Sequence, residues 1–155
     1  MNITRRQVTS QDDAFLLALF KAVRAPDFAI AGLAPAQLDM LLDMQFQAQT
    51  GGYAAQFPGA DNQIVLLDGV DAGRILVHRS PSQFVLVDIS VLPAHQNRGL
   101  GTALVTGLIA EARAAGVPLR CSVGLSNTGS LRFHQRLGFR IVSQDAVYCE
   151  LEYIS

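Results

Sequence analysis

Charge is scarce in this chain. Of its 155 residues only 16% are Asp, Glu, Lys or Arg, and 12 basic side chains against 13 acidic ones leave a formal net charge of −1. So even a balance offers no basic face to track a nucleic-acid backbone or to hold an anionic bilayer. Long apolar runs are missing too. Stretches such as Ala14 to Phe20 fall far short of the roughly 20 residues that span a membrane. The opening Met-Asn-Ile-Thr-Arg-Arg is not followed by the apolar region of a secretory signal, so a cytoplasmic location is expected. Cysteine is reduced to Cys121 and Cys149, far apart in predicted strands. They read as reduced, buried thiols acting as small hydrophobes, with no identifiable base to make either a nucleophile. Repeats, low-complexity tracts and linkers are absent. A single domain over residues 1–155 is expected, and a hydrophobic content of 50% suits a compact core.

The apolar pattern changes period along the chain. Asn2 to Val8 reads as a first strand. Ser10 is an N-cap with Asp12 and Asp13 behind it, opening a helix to about Arg24 that Pro26 and Gly32 close. Pro35 starts a second helix, Ala36 to Gln49, with Gly51-Gly52 as its stop and Met40, Leu41 and Met44 as its apolar stripe. From Asn62 the pattern is β: Ile64 to Leu67, a turn at Asp68-Gly69, Gly73 to His78, then Phe84 to Leu92 after Pro81. Both faces of Phe84–Leu92 are largely apolar, as in a central strand covered on each side. Leu100, Leu104, Val105, Leu108 and Ile109 recur at helical spacing up to about Ala115, and Gly116 is the C′ residue. A strand at Leu119–Val123, a helix at Thr128–Leu137 and strands at Arg140–Ser143 and Val147–Tyr153 complete the order β-α-α-β-β-β-α-β-α-β-β.

The stretch Gln96-Asn97-Arg98-Gly99-Leu100-Gly101-Thr102 lies between a buried strand and an amphipathic helix. First-turn amides of a helix have no intrahelical acceptor, and the helix dipole favours an anion there. Gly99 and Gly101 let a bulky anion approach the backbone, and Arg98 adds a charge-assisted contact. No Lys follows Gly101, so the Walker loop fits poorly. A dinucleotide loop fits poorly as well, since Thr102-Ala103-Leu104 follow the second glycine.

The run Asp88 to Leu104, with Gln96-x-x-Gly99-x-Gly101 after a Val-x-Pro step, resembles the acyl-CoA pyrophosphate loop of the GNAT superfamily of N-acetyltransferases. Asn127 and Ser130-Leu131-Arg132-Phe133-His134-Gln135-Arg136-Leu137-Gly138-Phe139 are similar to that superfamily's Asn-x-x-Ala-x-x-Leu-Tyr-Glu-Lys-Leu-Gly-Phe segment, with spacing kept. The resemblance implies an α/β fold: a mixed, mostly antiparallel sheet of six to seven strands with helices on both faces and a splayed central pair, Phe84–Leu92 and Leu119–Val123. It implies acetyl-CoA as co-substrate, no metal, and transfer of acetyl to a primary amine by direct attack in a ternary complex. The backbone of Ile89 and Val91 is then expected to hold the pantetheine arm. The amides of Arg98, Gly99, Leu100, Gly101 and Thr102 hold the pyrophosphate, Gln96 and Asn97 shape the turn, and the side chain of Asn127 holds the cofactor arm.

Two further residues are candidates for chemistry. His134 stands where many relatives carry the Tyr that protonates the leaving sulfur; it is either a general acid or a slot filler. Asp88 interrupts an apolar strand, so burial must raise its pKa or supply a partner; it is either a base that relays a proton through water or, the preferred reading, a structural anion. His95 reads as an exposed turn residue. In the family the acceptor is met by the first two helices and the last hairpin. Gln45, Gln49 and Tyr53, at i, i+4 and i+8, form either an acceptor-facing wall or a solvated face with one packed Tyr. The acceptor is expected to be a small-molecule or peptide amine. No acidic cluster favours polyamines or aminoglycosides, and a homodimer is common in the family. The alternatives are a non-catalytic acyl-CoA sensor or interaction module, and another nucleotide-binding α/β protein that binds ATP or NAD but not CoA.

Overall fold

A computed structural model describes residues 1–154. Its elements follow the expected order: β1 (Ile3–Gln7), α1 (Asp13–Arg24), α2 (Pro35–Gln56), β2 (Asp61–Leu67), β3 (Val70–Arg79), β4 (Phe84–Val91), α3 (Leu100–Ala115), β5 (Leu119–Gly124), α4 (Thr128–Arg136), β6 (Arg140–Gln144) and β7 (Tyr148–Tyr153). The seven strands are ordered β1-β2-β3-β4-β5-β7-β6. β1 with β2, β5 with β7 and β6 with β7 are antiparallel, and β4 with β5 is parallel. The chain divides into two compact units, Met1–Leu76 with Asp88–Leu100 and Val77–Val87 with Gly101–Ser155, so that β3 and β4 contribute residues to each.

In the first unit Ile64, Val65 and Leu67 of β2 and Ala72, Ile75 and Leu76 of β3 are buried. The β2–β3 hairpin turns at Asp68 and Gly69, both left-handed (φ 51° and 81°), as a two-residue type I′ turn requires. Asp68 also ties the N-terminus down, its Oδ1 accepting from the Asn2 amide at 2.7 Å. α1 is preceded by a turn in which the Thr9 hydroxyl and the Asp12 carboxylate cap each other's backbone. Arg6 grips Asp12 through both guanidinium ends (2.8 and 2.9 Å), and this bond, with the Thr9 amide, holds the Asp12 carboxyl down to about 2. Helices α1 and α2 meet at Phe20 and Phe46, ring centroids 5.5 Å apart, and Lys21 bridges to Asp39 and Asp43.

Two readings of α2 need correction. The helix does not stop at Gln49; it runs through Gly51 and Gly52 to Gln56, where the Phe57 amide closes on the Tyr53 carbonyl and Pro58-Gly59 follows. Two helical glycines cost only about 1 kcal/mol each, which an anchored helix tolerates. The inward face is also different. Met40 and Met44 are 66% and 65% exposed, whereas Leu42 is buried, and Gln45, Phe46, Gln49 and Tyr53 are half-buried on the turns that follow. The helix therefore turns amide side chains inward along half its length.

In the second unit α3 buries Leu104, Val105, Leu108, Ile109 and Ala112. Gly116 (φ 71°) ends it in a Schellman arrangement, with Val117 N–H on the Ala112 carbonyl at 3.1 Å. Leu119, Cys121 and Val123 of β5 and Cys149 and Leu151 of β7 are buried. Both cysteines are free, and burial pushes the Cys121 thiol up to about 12, which removes it as a nucleophile at neutral pH. The ladder of β4 with β5 runs over Phe84–Leu119, Val85–Arg120 and Leu86–Cys121, while β4 goes on to Val91 and β5 to Gly124. Among the described residues no helix is long and apolar enough to cross a membrane.

Candidate active site

The loop before α3 is built from left-handed backbone. Asn97 (φ 63°) and Gly99 (φ 76°) alternate with residues of ordinary hand, and α3 begins at Leu100, whose side chain is buried. Asn tolerates this region and Gly is free in it. The space where a Cβ of Gly99 would stand is open, with nothing within 4 Å. Arg98 and Gly99 are exposed, as are Gln96, Asn97 and Thr102. Gln96 donates through Nε2 to the Val91 carbonyl at 2.9 Å, tying the turn to the end of β4. An anion arriving at this turn meets the first-turn amides of a 16-residue helix and one guanidinium. His95 is half-buried rather than exposed, with Nδ1 buried and unpartnered.

A Cβ on Gly101 would stand 3.4 and 3.7 Å from the Phe133 ring, ordinary contact distance, so Phe133 of α4 borders the first turn of α3. Asn127 caps α4: its Oδ1 accepts from the Ser130 amide at 3.1 Å, which leaves the Nδ2 donor for other partners.

His134 lies inside the second unit, 3% exposed. Its Nδ1 is 2.8 Å from the Ser130 carbonyl, an acceptor only, so Nδ1 carries the proton. The Phe133 and Phe139 rings stand edge-on at 5.1 and 5.2 Å, and Nε2 is buried without a partner. Desolvation lowers its pKa below 6.5, more than the Ser130 bond raises it. The imidazole is thus neutral at pH 7 with a bare Nε2, and has no ready proton for a leaving sulfur. A pH dependence follows. The folded pKa lies below the unfolded one, so this group's contribution to stability is intact above pH 6.5 and is lost as the pH falls and the unfolded chain takes up a proton the folded one refuses. His134→Phe is expected to shrink the drop in urea midpoint between pH 7.5 and about 5.5 relative to the wild type. An equal drop in both proteins would contradict this placement.

The first unit holds a recess lined by Leu16, Leu19, Phe20, Val23 and Arg24 of α1, Phe46 and Gln49 of α2, Arg74 of β3, and Asp88 and Ser90 of β4. Its polar wall is an ion pair. Arg74, 8% exposed, donates from Nε (3.2 Å) and Nη2 (2.7 Å) to Asp88 Oδ2, and the Ser90 hydroxyl donates to the same carboxylate at 3.2 Å. The Tyr53 ring lies 5.9 Å from the Arg74 guanidinium carbon. Asp88 thus has the partner that burial demands, and of the second-helix candidates Gln49 reaches the recess, Tyr53 backs Arg74, and Gln45 has a buried Oε1 without a partner. Arg24, Arg74, Phe20, Phe46 and Ser90 escaped the sequence reading. The one available signal was Arg74 itself, a cation in the apolar run Ala72–Val77 with an equally isolated Asp88 in the next strand. Among the described residues no group of three or more His, Cys, Asp or Glu side chains is arranged to hold a metal ion.

Comparison with known proteins decides the family. Residues 39–139 match the model of the Acetyltransferase (GNAT) family. The chain belongs to this family. A curated relative, the L-methionine sulfoximine/L-methionine sulfone acetyltransferase of Salmonella typhimurium, is 40% identical over 57 residues, 36% of this chain and 33% of its own length; the chain therefore matches only about a third of that relative. Among solved structures, the PaiA N-acetyltransferase from Thermoplasma acidophilum in complex with coenzyme A has a TM-score of 0.75 at 14% identity, with 100% of both chains covered. A GNAT family acetyltransferase from Elizabethkingia anophelis with acetyl-CoA bound has a TM-score of 0.64 at 17% identity, with 99% of both covered. These likenesses show that the chain has the GNAT fold.

Proposed function

We propose that this chain transfers the acetyl group of acetyl-CoA to a primary amine. The observation that carries the reading is the loop before α3, within the stretch that the family model matches: left-handed Asn97 and Gly99, an open Gly99 face and the start of a long helix. Family neighbours crystallised with coenzyme A and acetyl-CoA support the cofactor. In this reading the diphosphate lies on the amides of 98–102, with Arg98 as counter-charge. The pantetheine arm follows the backbone of Ile89 and Val91 at the end of β4, and Asn127 offers its amide NH2 to the arm.

The recess receives the acceptor, with Gln49 on its α2 side and Tyr53 behind Arg74. An incoming ammonium meets Asp88 and Ser90, which pass one proton toward solvent; the free amine then attacks the thioester carbonyl. As the C–S bond breaks, the nitrogen gives up its second proton to water and the sulfur leaves as the thiolate of coenzyme A, which takes a proton from water to become the thiol. His134 packs α4 and takes no part in the proton's path. A substrate of the kind named for the curated relative, an amino acid with a free amine, fits this scheme. The buried His134 at the family's Tyr position, with no proton on Nε2, favours one second reading, an acyl-CoA sensor without turnover. A thiol-release assay with acetyl-CoA and a panel of primary amines tests the proposal. Amine-dependent release, with the acetylated amine found by mass spectrometry, is the expected result; tight acetyl-CoA binding with no release on any amine would favour the sensor.

A further inference from the structure

The recess of the first unit contains two guanidinium groups, Arg24 and Arg74, and one carboxylate, Asp88. Arg74 is neutralised at 2.7 Å by Asp88. Arg24 has no carboxylate partner among the described residues. Instead its guanidinium carbon lies 5.2 Å from the centroid of Phe20, another lining residue. A guanidinium held on a ring face keeps its in-plane N–H donors for a planar, bidentate acceptor. Of the remaining walls Leu16, Leu19, Val23 and Phe46 are apolar, and Gln49 and Ser90 are polar but uncharged.

The recess thus carries one uncompensated positive charge, an apolar floor, and at its other polar wall a carboxylate already bonded by Arg74 and Ser90. A plain cationic amine gains nothing from this balance. An amine that also bears an anion does: the anion pairs with Arg24, the apolar body covers Phe20 and Phe46, and the amine goes to the Asp88 wall. We infer that the acceptor is a carboxylate-bearing primary amine with an apolar side chain, of the amino-acid class, and that Arg24 is the specificity-determining residue that holds its carboxylate. This inference rests on the acetyl-transfer reading of the same recess.

The test is calorimetric binding, in the presence of saturating coenzyme A, of three matched pairs of amines: L-phenylalanine with 2-phenylethylamine, L-leucine with 3-methylbutylamine, and L-methionine sulfone with 3-(methylsulfonyl)propylamine. In at least one pair the carboxylated member is expected to bind tenfold or more tightly than its decarboxylated analogue. Arg24→Gln is expected to bring that ratio close to one. Because Arg24 ends α1, a role confined to the helix C-terminus would lower thermal stability and leave the ratio unchanged, and that result overturns the inference. So does equal binding within every pair, or no binding of any carboxylated member, by a protein that binds coenzyme A; the transfer reading then stands with another acceptor. A protein that does not bind coenzyme A defeats the parent reading itself.

Discussion

Gly73→Val is expected not to accumulate as a folded protein, and Gly73→Ala to lose about 3 kcal/mol of stability, or roughly 10 °C in melting temperature. Gly73 is a buried residue of β3, and a Cβ built on it would overlap the Ser90 carbonyl oxygen and stand 3.2 Å from the Val91 Cα. Both obstacles are backbone, so no side-chain rotation relieves them. Nor is β4 free to retreat, because the Leu92 amide is bonded to the Ala72 carbonyl at 2.8 Å one residue away. A methyl group therefore forces the strands apart next to Arg74 and Asp88. Thermal and urea unfolding of the Ala variant measure the loss. A melting temperature within about 2 °C of the wild type would mean that β3 and β4 approach less closely than described here.

Asp88→Ala is expected to cost about 3 kcal/mol, well above an ordinary surface substitution. The reason is the partner left behind: the Arg74 side chain is 10% exposed, and its charge is met by the Asp88 carboxylate alone at salt-bridge distance among the described residues. Stranding that guanidinium is worse than losing the pair outright. The double variant Arg74→Met with Asp88→Leu should recover most of the stability, since well-packed apolar residues replace buried pairs at little net cost. Additive losses in the double variant would contradict the pairing. Acetyl transfer should be impaired in both proteins, because both remove the carboxylate that meets the acceptor amine.

What the sequence disclosed was whatever depends on neighbouring residues. The turn at Asp68-Gly69, the stop at Gly116 and the run from Gln96 to Thr102 are local backbone demands, written in a few consecutive letters, although the cap before α1 falls on Thr9 and not on the expected Ser10. The two halves of the family's signature are local in the same sense. What the sequence concealed depends on strands and helices coming together. Arg74 and Asp88 are 14 residues apart and meet only because β3 and β4 are neighbours. The recess draws on α1, α2, β3 and β4, so no single window of sequence displays it. His134 matched a catalytic position by spacing, yet burial between two Phe rings decides its protonation. Gly99 faces open space whereas Gly101 faces the Phe133 ring, a difference that only the packing of α4 reveals. The second helix was cut short because Gly51-Gly52 resembles a stop, whereas tertiary packing carried the helix through.

The central claim is that the left-handed loop before α3 holds the diphosphate of acetyl-CoA, and titration of acetyl-CoA into the wild type and into Gly99→Val tests it most directly. Valine at φ 76° is strained regardless of space, so the loop must change shape. The account predicts saturable binding of one acetyl-CoA per chain by the wild type and a loss of tenfold or more in affinity for the folded variant. No heat of binding in the wild type, or equal affinity in the two proteins, would contradict it.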